Sequence, residues 1–540
     1  MPKITIDLND LKKMIGMNLK DDEIIETLSL LKCELEAIID GKISLEVTSD
    51  RPDLFSCEGI ARGIRIYHGY IEWRPRFSEL KPMKLFVDNS VKYVRPYIVA
   101  AAIRGIELNE EAIIQMMQLQ EKLHSTYCSN RKKGSIGIYD LDKISPPLYY
   151  RASHPNEINF VPLGSSKPMN GYEILKHTPK GMEYAWIIEG KDRFPLLHDS
   201  RGMVLSMPPI INSEDTKVTE STKNLIIDVT GIDENIINDC LNIVVTSLME
   251  RGGSLQFFEV IYEDRTSKTP KLEFIRTKLN PNTVKEKLGL NLSSEEITSL
   301  LRKMGHEVSN GFEVISPPYR VDILHEIDLI EEIAMAIGLN NIPPEIPKVN
   351  TIGKPMRGSK IKSRIRDIMV GMGFQEIITY ILSSRSILED KPIMKKRNLV
   401  EVINPISSEY AVLRDCLIPK LLYFLSRNTH QSYPQRIFEC GDVVYVEDGL
   451  AKTSMHIAAA ITDYKISYED IQAVVVALFK ALSKRVYFEP YGDMPFIEGR
   501  AARIILEGKA IGYVGEISPK VLINFGLTHP VGTFECELYI

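Results

Sequence analysis

Acidic side chains are concentrated in one short stretch of the sequence, where an apolar segment begins. Asp328, Glu331 and Glu332 stand at i, i+3 and i+4, so on a helix they share one face. Asp322 precedes them in a segment that two prolines favour as extended, and it can fold back over the first helical turn. Oxygen ligands with no cysteine among them suit a hard cation, magnesium before calcium or zinc.

A helix start explains the same acids without a metal. Carboxylates in a first helical turn interact favourably with the helix dipole, by about 0.3 to 1 kcal/mol each. However, adjacent carboxylates repel one another unless a cation, or a Lys or Arg of a partner, lies among them. The spacing alone leaves both explanations open.

A second set of polar residues interrupts a β-branched strand. In the strand predicted over 225–230, Asp228 and Thr230 lie on the face opposite the apolar residues, at period two. Ser206 ends a preceding strand, and a Pro-Pro turn leading to Asn212 would return the chain to the same edge. These four residues could line one pocket.

A solvent-exposed strand face with a turn-forming Asn is the alternative, and the spacing alone favours it. No Ser/His/Asp or Cys/His spacing occurs in this region. If the residues do form a pocket, a positioned water is therefore favoured over a covalent nucleophile.

The acidic stretch belongs to a unit that the sequence uses twice. Each copy predicts two short helices, a strand pair, a corner and a further helix. The corner of the first copy contains Arg51 and Asp53, and that of the second contains Arg320 and Asp322. A local salt bridge at each corner is the alternative to a functional role.

Composition is that of an ordinary globular protein with several domains. The chain has 540 residues, 44% of them hydrophobic and 26% charged, with a net charge of -6. This length predicts three to four domains, and this charge excludes a bulk polyanion binder. A basic run, 131–133, is predicted to be a solvated loop rather than an RNA contact.

The cysteines and the apolar runs predict a cytoplasmic protein. The seven cysteines show no metal-ligand spacing, which is typical of reduced thiols. No apolar run approaches the roughly 20 residues of a membrane span, and the first residues do not have the pattern of a signal peptide.

Two motifs carry a resemblance to a known family. The run YRVDILHEIDLIEEIAMAIG, together with TSDRPDLFSCEGIARGI, resembles the beta subunit of phenylalanyl-tRNA synthetase in its short archaeal and eukaryotic form. The resemblance implies that Asp322, Asp328, Glu331 and Glu332 bind a magnesium ion shared with the alpha subunit. It also implies an alpha2beta2 heterotetramer that binds tRNA-Phe and uses ATP as substrate.

The region around Asp228 resembles the domain of that family that hydrolyses mischarged tyrosyl-tRNA. A pocket shaped for a phenyl ring rejects the same ring bearing a hydroxyl only weakly, by about 10²-fold for comparable pockets. A second site must therefore recognise the hydroxyl. Asp228 could accept its hydrogen bond while Ser206 and Thr230 position the ester and a water. A non-hydrolytic tRNA-binding scaffold is the rival function.

The expected fold class is α+β multidomain. Its expected parts are an N-terminal winged-helix-like module (1–75), an inserted mixed α/β editing domain of B3/B4 type (84–267), a B5-type winged-helix-like module with the acidic metal site (270–345) and a class II synthetase-like antiparallel-sheet domain (356–540). The last is predicted to be inactive, because its strand from Arg436 to Glu439 has the aromatic residue and the Arg out of place for holding ATP. Arg414, Arg436 and Glu439 are therefore expected to support the fold, with no aminoacylation site in this chain.

Overall fold

The computed structural model describes residues 1–69 and 73–538. The chain divides into two compact units, Met1–Glu345 and Ile346–Ile540. The parts of the predicted domains at 70–72 and 539–540 lie outside the described residues. In the part of the chain that is described, no helix is long and apolar enough to cross a membrane.

The first unit begins with a module of three strands and three helices. Its elements are β1 (Lys3–Asp7), α1 (Leu8–Ile15), α2 (Asp21–Leu30), β2 (Cys33–Ile39), β3 (Lys42–Val47) and α3 (Cys57–Gly69). The strands form an antiparallel sheet in the order β1-β3-β2. Asp40 and Gly41 join β2 to β3 with φ values of 51° and 74°, the left-handed pair that a tight hairpin turn requires.

The same element order ends the first unit. Its elements are β14 (Ile275–Lys278), α8 (Pro281–Leu288), α9 (Ser294–Lys303), β15 (Glu307–Val308), β16 (Glu313–Ser316) and α10 (Glu326–Ile337). The sheet order β14-β16-β15 repeats that of the first module. Ser293 and Glu296 form a capping box at the start of α9. The predicted repeat is confirmed, with one strand per copy that the sequence analysis missed.

Between the two copies lies a domain built on a ten-stranded sheet. Its strands are β4 (Met83–Val87), β5 (Tyr97–Arg104), β6 (Gly134–Asp140), β7 (Leu148–Ser153), β8 (Phe194–His198), β9 (Val204–Met207), β10 (Ile211–Asn212), β11 (Asn224–Gly231), β12 (Ser254–Ile261) and β13 (Thr266–Thr269). Its helices are α4 (Glu110–Ser125), α5 (Gly171–His177), α6 (Pro179–Tyr184) and α7 (Glu234–Met249). The strand order is β10-β9-β8-β7-β4-β12-β5-β11-β6, with β13 on β12.

Strand β11 is covered on both faces. Leu225, Ile227 and Val229 pack in a core cluster with residues of α4 and α7. Ile226 packs on the opposite side, in a cluster with residues of β4 and β7. Polar residues that alternate with the apolar ones on this strand are therefore held away from solvent.

The second unit contains a seven-stranded sheet with helices on both faces and a separate pair of two short strands. Its strands are β17 (Gln375–Glu376), β18 (Leu382–Ser383), β19 (Val412–Leu413), β20 (Gln435–Glu447), β21 (Leu450–Thr462), β22 (Val486–Pro490), β23 (Phe496–Leu506), β24 (Lys509–Ile517) and β25 (Val531–Glu537). Its helices are α11 (Arg357–Gly371), α12 (Ile418–Arg427), α13 (Tyr468–Ala481) and α14 (Pro519–Phe525).

The order of the large sheet is β17-β20-β21-β25-β24-β23-β22, while β18 and β19 pair separately. All neighbours in the large sheet are antiparallel except β17 and β20. One apolar cluster contains residues of α11 and α13, and a second contains residues of α12 and α14. The expected antiparallel-sheet domain is therefore present.

Candidate functional site

β11 holds two of the predicted pocket residues, and both are buried. Asp228 is 1% exposed and Thr230 is 0% exposed. In the sheet, Asp228 lies opposite Ala100 of β5 and Gly137 of β6. Because β11 lies between two strands and has apolar clusters on both faces, the alternative of a solvent-exposed strand face is wrong.

The β9–β10 hairpin brings Ser206 to the same place. Its Oγ lies 2.8 Å from the hydroxyl of Tyr139, and Tyr139 in turn donates to Asp228 Oδ1 at 2.5 Å. Asn212 lies opposite Ser206 in the hairpin. Within the described chain, however, no hydrogen bond joins the Asn212 side chain to Ser206, Asp228 or Thr230. The structure therefore gathers Ser206 and Asp228 through a tyrosine and leaves Asn212 at the side.

Tyr139 belongs to this site although no local sequence pattern indicates it. This residue lies two positions after Gly137 on β6, so both share one face of the strand. A Cβ at Gly137 would lie 2.0 Å from Tyr139 Oη and 2.4 Å from Asp228 Oδ1. The pairing of β6 with β11 creates this arrangement, and the sequence gives no local sign of that pairing.

Arg95 is a second residue that the sequence did not indicate. Its side chain is buried and donates to Thr230 twice, from Nε to Oγ1 at 2.9 Å and from Nη2 to the carbonyl at 2.7 Å. Its other hydrogen bonds go to the carbonyls of Arg131 and Lys132. Burial lowers the pKa of Arg95 to about 10. Since these acceptors are neutral, the positive charge of Arg95 acts on Asp228 without a direct ion pair.

The basic run predicted as a solvated loop is partly buried. Arg131 is 7% exposed, and its guanidinium donates to the carbonyls of Pro209 and Ile210 at 3.2 and 2.9 Å. It also pairs with Glu121 at 2.7 Å. The prediction was therefore wrong for Arg131, which supports the turn between β9 and β10.

Asp228 is held close to the midpoint of its titration at neutral pH. Burial raises its pKa to about 7, although the hydrogen bond from Tyr139 and the charge of Arg95 lower it. Burial also raises the pKa of Tyr139 well above its ordinary value, as does the neighbouring Asp228. The tyrosine therefore stays protonated while the carboxyl exchanges its proton near neutral pH.

The acidic stretch has a different arrangement from the one predicted. Asp322 binds Arg320 through both oxygens, at 3.0 and 2.7 Å. Glu332 is 1% exposed, with its Oε1 3.0 Å from Arg320 and 3.9 Å from Arg51. His306 lies 3.6 Å from the other oxygen of Glu332. The corner salt bridge is present in both copies, since Arg51 also binds both oxygens of Asp53, at 2.9 and 3.0 Å.

The other two acids point elsewhere. Asp328 accepts from the backbone N–H groups of Leu324 and His325 at 2.8 and 2.7 Å, as the capping box of α10. Glu331 is exposed and pairs with Lys32 at 2.9 Å. In the described ranges, no group of three or more His, Cys, Asp or Glu residues could hold a metal.

In this structure the four carboxylates therefore make separate contacts instead of converging. They are distributed among an arginine cluster, a helix start and a surface pair. Asp322 and Asp328 are hydrogen-bonded to Arg320 and to backbone N–H groups, and Glu331 pairs with Lys32, so as arranged the four carboxylates do not offer one common set of free oxygens to a magnesium ion. Binding of magnesium itself stays a prediction.

In the second unit, Arg414 and Glu439 are tied to one another. Their buried side chains meet at 2.7 Å. Arg414 also donates to Thr379 Oγ1 at 2.7 Å and to the Asp442 carbonyl at 2.9 Å. Arg436 is exposed. The contacts of Arg414 and Glu439 are those of a pair that supports the fold.

The domains define a class of protein, a subunit of an aminoacyl-tRNA synthetase. The B3/4 domain family matches residues 115–256 and the tRNA synthetase B5 domain matches residues 277–339. The phenylalanyl tRNA synthetase beta chain CLM domain matches residues 342–538. These three matches follow one another along the chain without overlap.

Individual relatives identify the family within this class of synthetase subunits. The phenylalanine–tRNA ligase beta subunit of Archaeoglobus fulgidus is 40% identical, over 100% of this chain and 98% of the relative. That of Pyrococcus furiosus is 40% identical, over 100% and 99%. A crystal structure of an N-terminal fragment of the Pyrococcus horikoshii phenylalanyl-tRNA synthetase beta subunit is 39% identical, covers 62% of this chain and 100% of that fragment, and has a TM-score of 0.60. The chain belongs to the family of phenylalanine–tRNA ligase beta subunits.

Proposed function

We propose that this chain works as the beta subunit of a phenylalanine–tRNA ligase and that its middle domain hydrolyses tyrosine mischarged onto tRNA-Phe. The first part is supported by relatives of that name that match the whole chain. The second part rests on one observation. Within the region that matches the B3/4 domain, Ser206, Tyr139 and Asp228 form a buried polar chain beside Thr230 and Arg95.

The chemical similarity of phenylalanine and tyrosine explains why a second, hydrolytic site is needed. Phenylalanine and tyrosine differ by one hydroxyl, and a pocket that binds the phenyl ring excludes the hydroxyl by only about 10²-fold. A site that hydrogen-bonds the hydroxyl prefers tyrosine, because bound phenylalanine would leave the buried polar groups of the site without hydrogen-bond partners. The ionised carboxylate of Asp228 is an acceptor suited to a phenol.

Hydrolysis requires only a positioned water in this arrangement. The water oxygen attacks the ester carbonyl carbon, the bond to the ribose oxygen breaks, and tyrosine and tRNA with a free hydroxyl are released. In the described part of the chain, neither Ser206 nor Thr230 is hydrogen-bonded to a histidine, so no activated nucleophile is formed. Ser206 and Thr230 are proposed to orient the ester and the water.

The remaining domains are proposed to serve the assembly. The two repeated modules are proposed to be winged-helix-like, and the second unit class II synthetase-like without activity of its own. Activation of phenylalanine with ATP then belongs to an alpha chain, in an alpha2beta2 assembly that binds tRNA-Phe. All seven cysteines are free thiols, which agrees with a cytoplasmic enzyme.

Magnesium shared with the alpha chain stays a prediction, and no step of the proposed hydrolysis depends on it. The carboxylates at the predicted positions are engaged with Arg320, Lys32 and backbone N–H groups. An ion could bind there only after these contacts had been exchanged.

Co-expression with the alpha chain tests the proposal. The beta chain alone is expected to show no phenylalanine-dependent pyrophosphate exchange, and the assembled enzyme to show it. The assembled Asp228→Ala enzyme is expected to charge phenylalanine normally and to clear tyrosyl-tRNA-Phe about 10²-fold more slowly.

Asp239→Ala provides a matched control. Asp239 also accepts a hydrogen bond from a tyrosine, Tyr127, but lies on α7 outside the pocket. Equal clearance by the wild-type and Asp228→Ala enzymes would leave the chain as a non-hydrolytic tRNA-binding scaffold. Pyrophosphate exchange by the beta chain alone would show that the second unit is active.

A further inference from the structure

Tyr139 lies at the centre of the polar chain and has no assigned role. Its hydroxyl is the bridge between Ser206 on β9 and Asp228 on β11. The three side chains are each no more than 2% exposed. Because β9, which carries Ser206, is not a neighbour of β11 in the sheet, the Tyr139 hydroxyl is the contact that fixes Ser206 and Asp228 relative to one another.

The Tyr139 hydroxyl fits beside Asp228 because residue 137 is a glycine and has no side chain. Gly137 pairs with Asp228 across the β6–β11 ladder. The place of its absent Cβ is within 2.0 Å of Tyr139 Oη and 2.4 Å of Asp228 Oδ1. Any larger residue would occupy the space of the hydrogen bond, so the glycine makes room for the tyrosine–carboxyl contact.

The number of protons available determines which group donates in each of the two hydrogen bonds of Tyr139. The phenol has one proton and can accept as well as donate. When Asp228 is ionised, Tyr139 must donate to it, and Ser206 then donates its proton to the phenol oxygen. When Asp228 is protonated on Oδ1, the carboxyl donates to Tyr139 and Tyr139 donates to Ser206. The proton position on Ser206 therefore follows the charge of Asp228.

We propose that Tyr139 is a positioning residue of this site: its hydroxyl holds the Asp228 carboxylate in its ionised, acceptor form and accepts the Ser206 proton, so that the Ser206 oxygen is left as an acceptor for the attacking water. This role rests on the proposed hydrolysis of tyrosyl-tRNA. The hydroxyl occupies Asp228 Oδ1, so in this proposal Oδ2 is the oxygen that accepts from the substrate phenol.

Other groups around Asp228 do not replace this contact. Arg95, from the segment before β5, favours the ionised carboxylate by its charge but hydrogen-bonds Thr230 instead. Tyr150 of β7 is close enough to interact electrostatically with Asp228, yet its hydroxyl donates to the Arg95 carbonyl at 2.8 Å. Among the residues that the structure describes, Ser206 of β9 is connected to Asp228 only through Tyr139. Removal of the Tyr139 hydroxyl thus removes the hydrogen-bond donor to Oδ1.

The test is the pH profile of tyrosyl-tRNA-Phe hydrolysis by the assembled Tyr139→Phe enzyme, between pH 6 and 9, corrected for enzyme-free hydrolysis. Loss of a hydrogen bond to a charged acceptor is expected to move the acid limb of the profile upward by about 1 to 2 pH units. The rate at pH 7 should then fall about tenfold, and most of it should return by pH 9.

Tyr127→Phe is the matched control. It removes another tyrosine hydroxyl that donates to a carboxylate, at 2.8 Å to Asp239, without touching the polar chain. Its acid limb is expected to coincide with that of the wild type. A Tyr139→Phe profile that keeps the wild-type pH dependence, whether at the same rate or scaled down equally at every pH, overturns the proposal.

A second measurement separates this proposal from the proposed function. Isotope-edited infrared titration of aspartate carboxyls in the full chain, with the Asp228→Asn spectrum subtracted, reports the ionisation of Asp228 directly. The midpoint is expected to rise by about 1 to 2 pH units in Tyr139→Phe. A wild-type enzyme that hydrolyses no tyrosyl-tRNA would refute the editing function, whereas an unmoved midpoint would refute the role of Tyr139.

Discussion

Two carboxylates of the first unit are equally buried, but their pKa values are shifted in opposite directions. Asp228 and Glu332 are each 1% exposed. Burial raises the pKa of Asp228 to about 7. Burial would also raise the pKa of Glu332, but the neighbouring cations hold it well below its ordinary value. Burial alone therefore does not decide the charge of either group.

The difference lies in what surrounds each carboxylate. Glu332 has Arg320 at 3.0 Å, with Arg51 and His306 within 4 Å. Asp228 has the neutral phenol of Tyr139 as its hydrogen-bond donor. Arg95, whose charge acts on Asp228, hydrogen-bonds Thr230 instead. A carboxylate locked in one state suits a structural role, and one poised near neutral pH suits a functional site.

Replacing Glu332 should be strongly destabilising. Glu332→Gln leaves Arg320 and Arg51 buried without this carboxylate, and the expected cost is about 3 to 5 kcal/mol. Because the pKa of Glu332 is lowered, its contribution is complete above the ordinary pKa of a glutamate and is lost only as pH falls through the lowered value. The cost measured by urea unfolding should therefore be the same at pH 5 and pH 8.

The adjacent residue is the control for this measurement. Glu331 is half exposed and pairs with Lys32 at the surface. Glu331→Gln should cost less than about 1 kcal/mol. Equal effects of the two substitutions would contradict the division between a buried cluster and a surface pair.

Replacing Asp228 should have the opposite effect on stability. The pKa of Asp228 rises from an ordinary 3.8 to about 7 on folding, so the folded state loses stability as pH rises between these values. Asp228→Asn removes that loss and keeps an oxygen that accepts from Tyr139. Urea unfolding at both pH values gives the difference in the free energy of unfolding between Asp228→Asn and wild type. This difference should favour the variant by about 2 to 3 kcal/mol more at pH 8 than at pH 5. A difference independent of pH would show that Asp228 is not poised.

Filling the slot at Gly137 should disturb the poised site. Gly137→Ala places a methyl group where Tyr139 Oη and Asp228 Oδ1 lie, and overpacking of this kind costs about 1 to 3 kcal/mol. Gly134→Ala in the same strand is the control, since its nearest neighbour is Cys128 Sγ at 3.0 Å. Thermal unfolding should rank Gly137→Ala below Gly134→Ala, with loss of tyrosyl-tRNA clearance in the former alone. Normal clearance by Gly137→Ala would contradict the geometry of the polar chain.

The sequence predicted well whatever depends on neighbouring residues. The Asp40–Gly41 turn and the Ser293 capping box follow from local backbone preferences, and both are present. The repeated module was recognisable because the same order of local signals occurs twice. The alternation along 225–230 also placed Asp228 and Thr230 on a common face of the strand.

Long-range pairing was not predictable in the same way. Tyr139 meets Asp228 because β6 pairs with β11, and Arg95 reaches Thr230 from a loop far away in sequence. Glu331 and Glu332 are neighbours on α10, yet they bind Lys32 and Arg320, which other segments supply. The spacing on a helix predicts which side chains are close to one another. It does not predict which Lys or Arg side chains of other segments pair with them.

Recognition of the tyrosine hydroxyl by the middle domain distinguishes an editing site from a tRNA-binding scaffold. The most direct measurement is the rate at which the assembled enzyme deacylates tyrosyl-tRNA-Phe and phenylalanyl-tRNA-Phe, compared in wild type and Asp228→Ala. The wild type is expected to favour the tyrosyl ester by at least about 10²-fold, and Asp228→Ala to remove most of this preference. Equal rates on the two esters by the wild type would contradict the account.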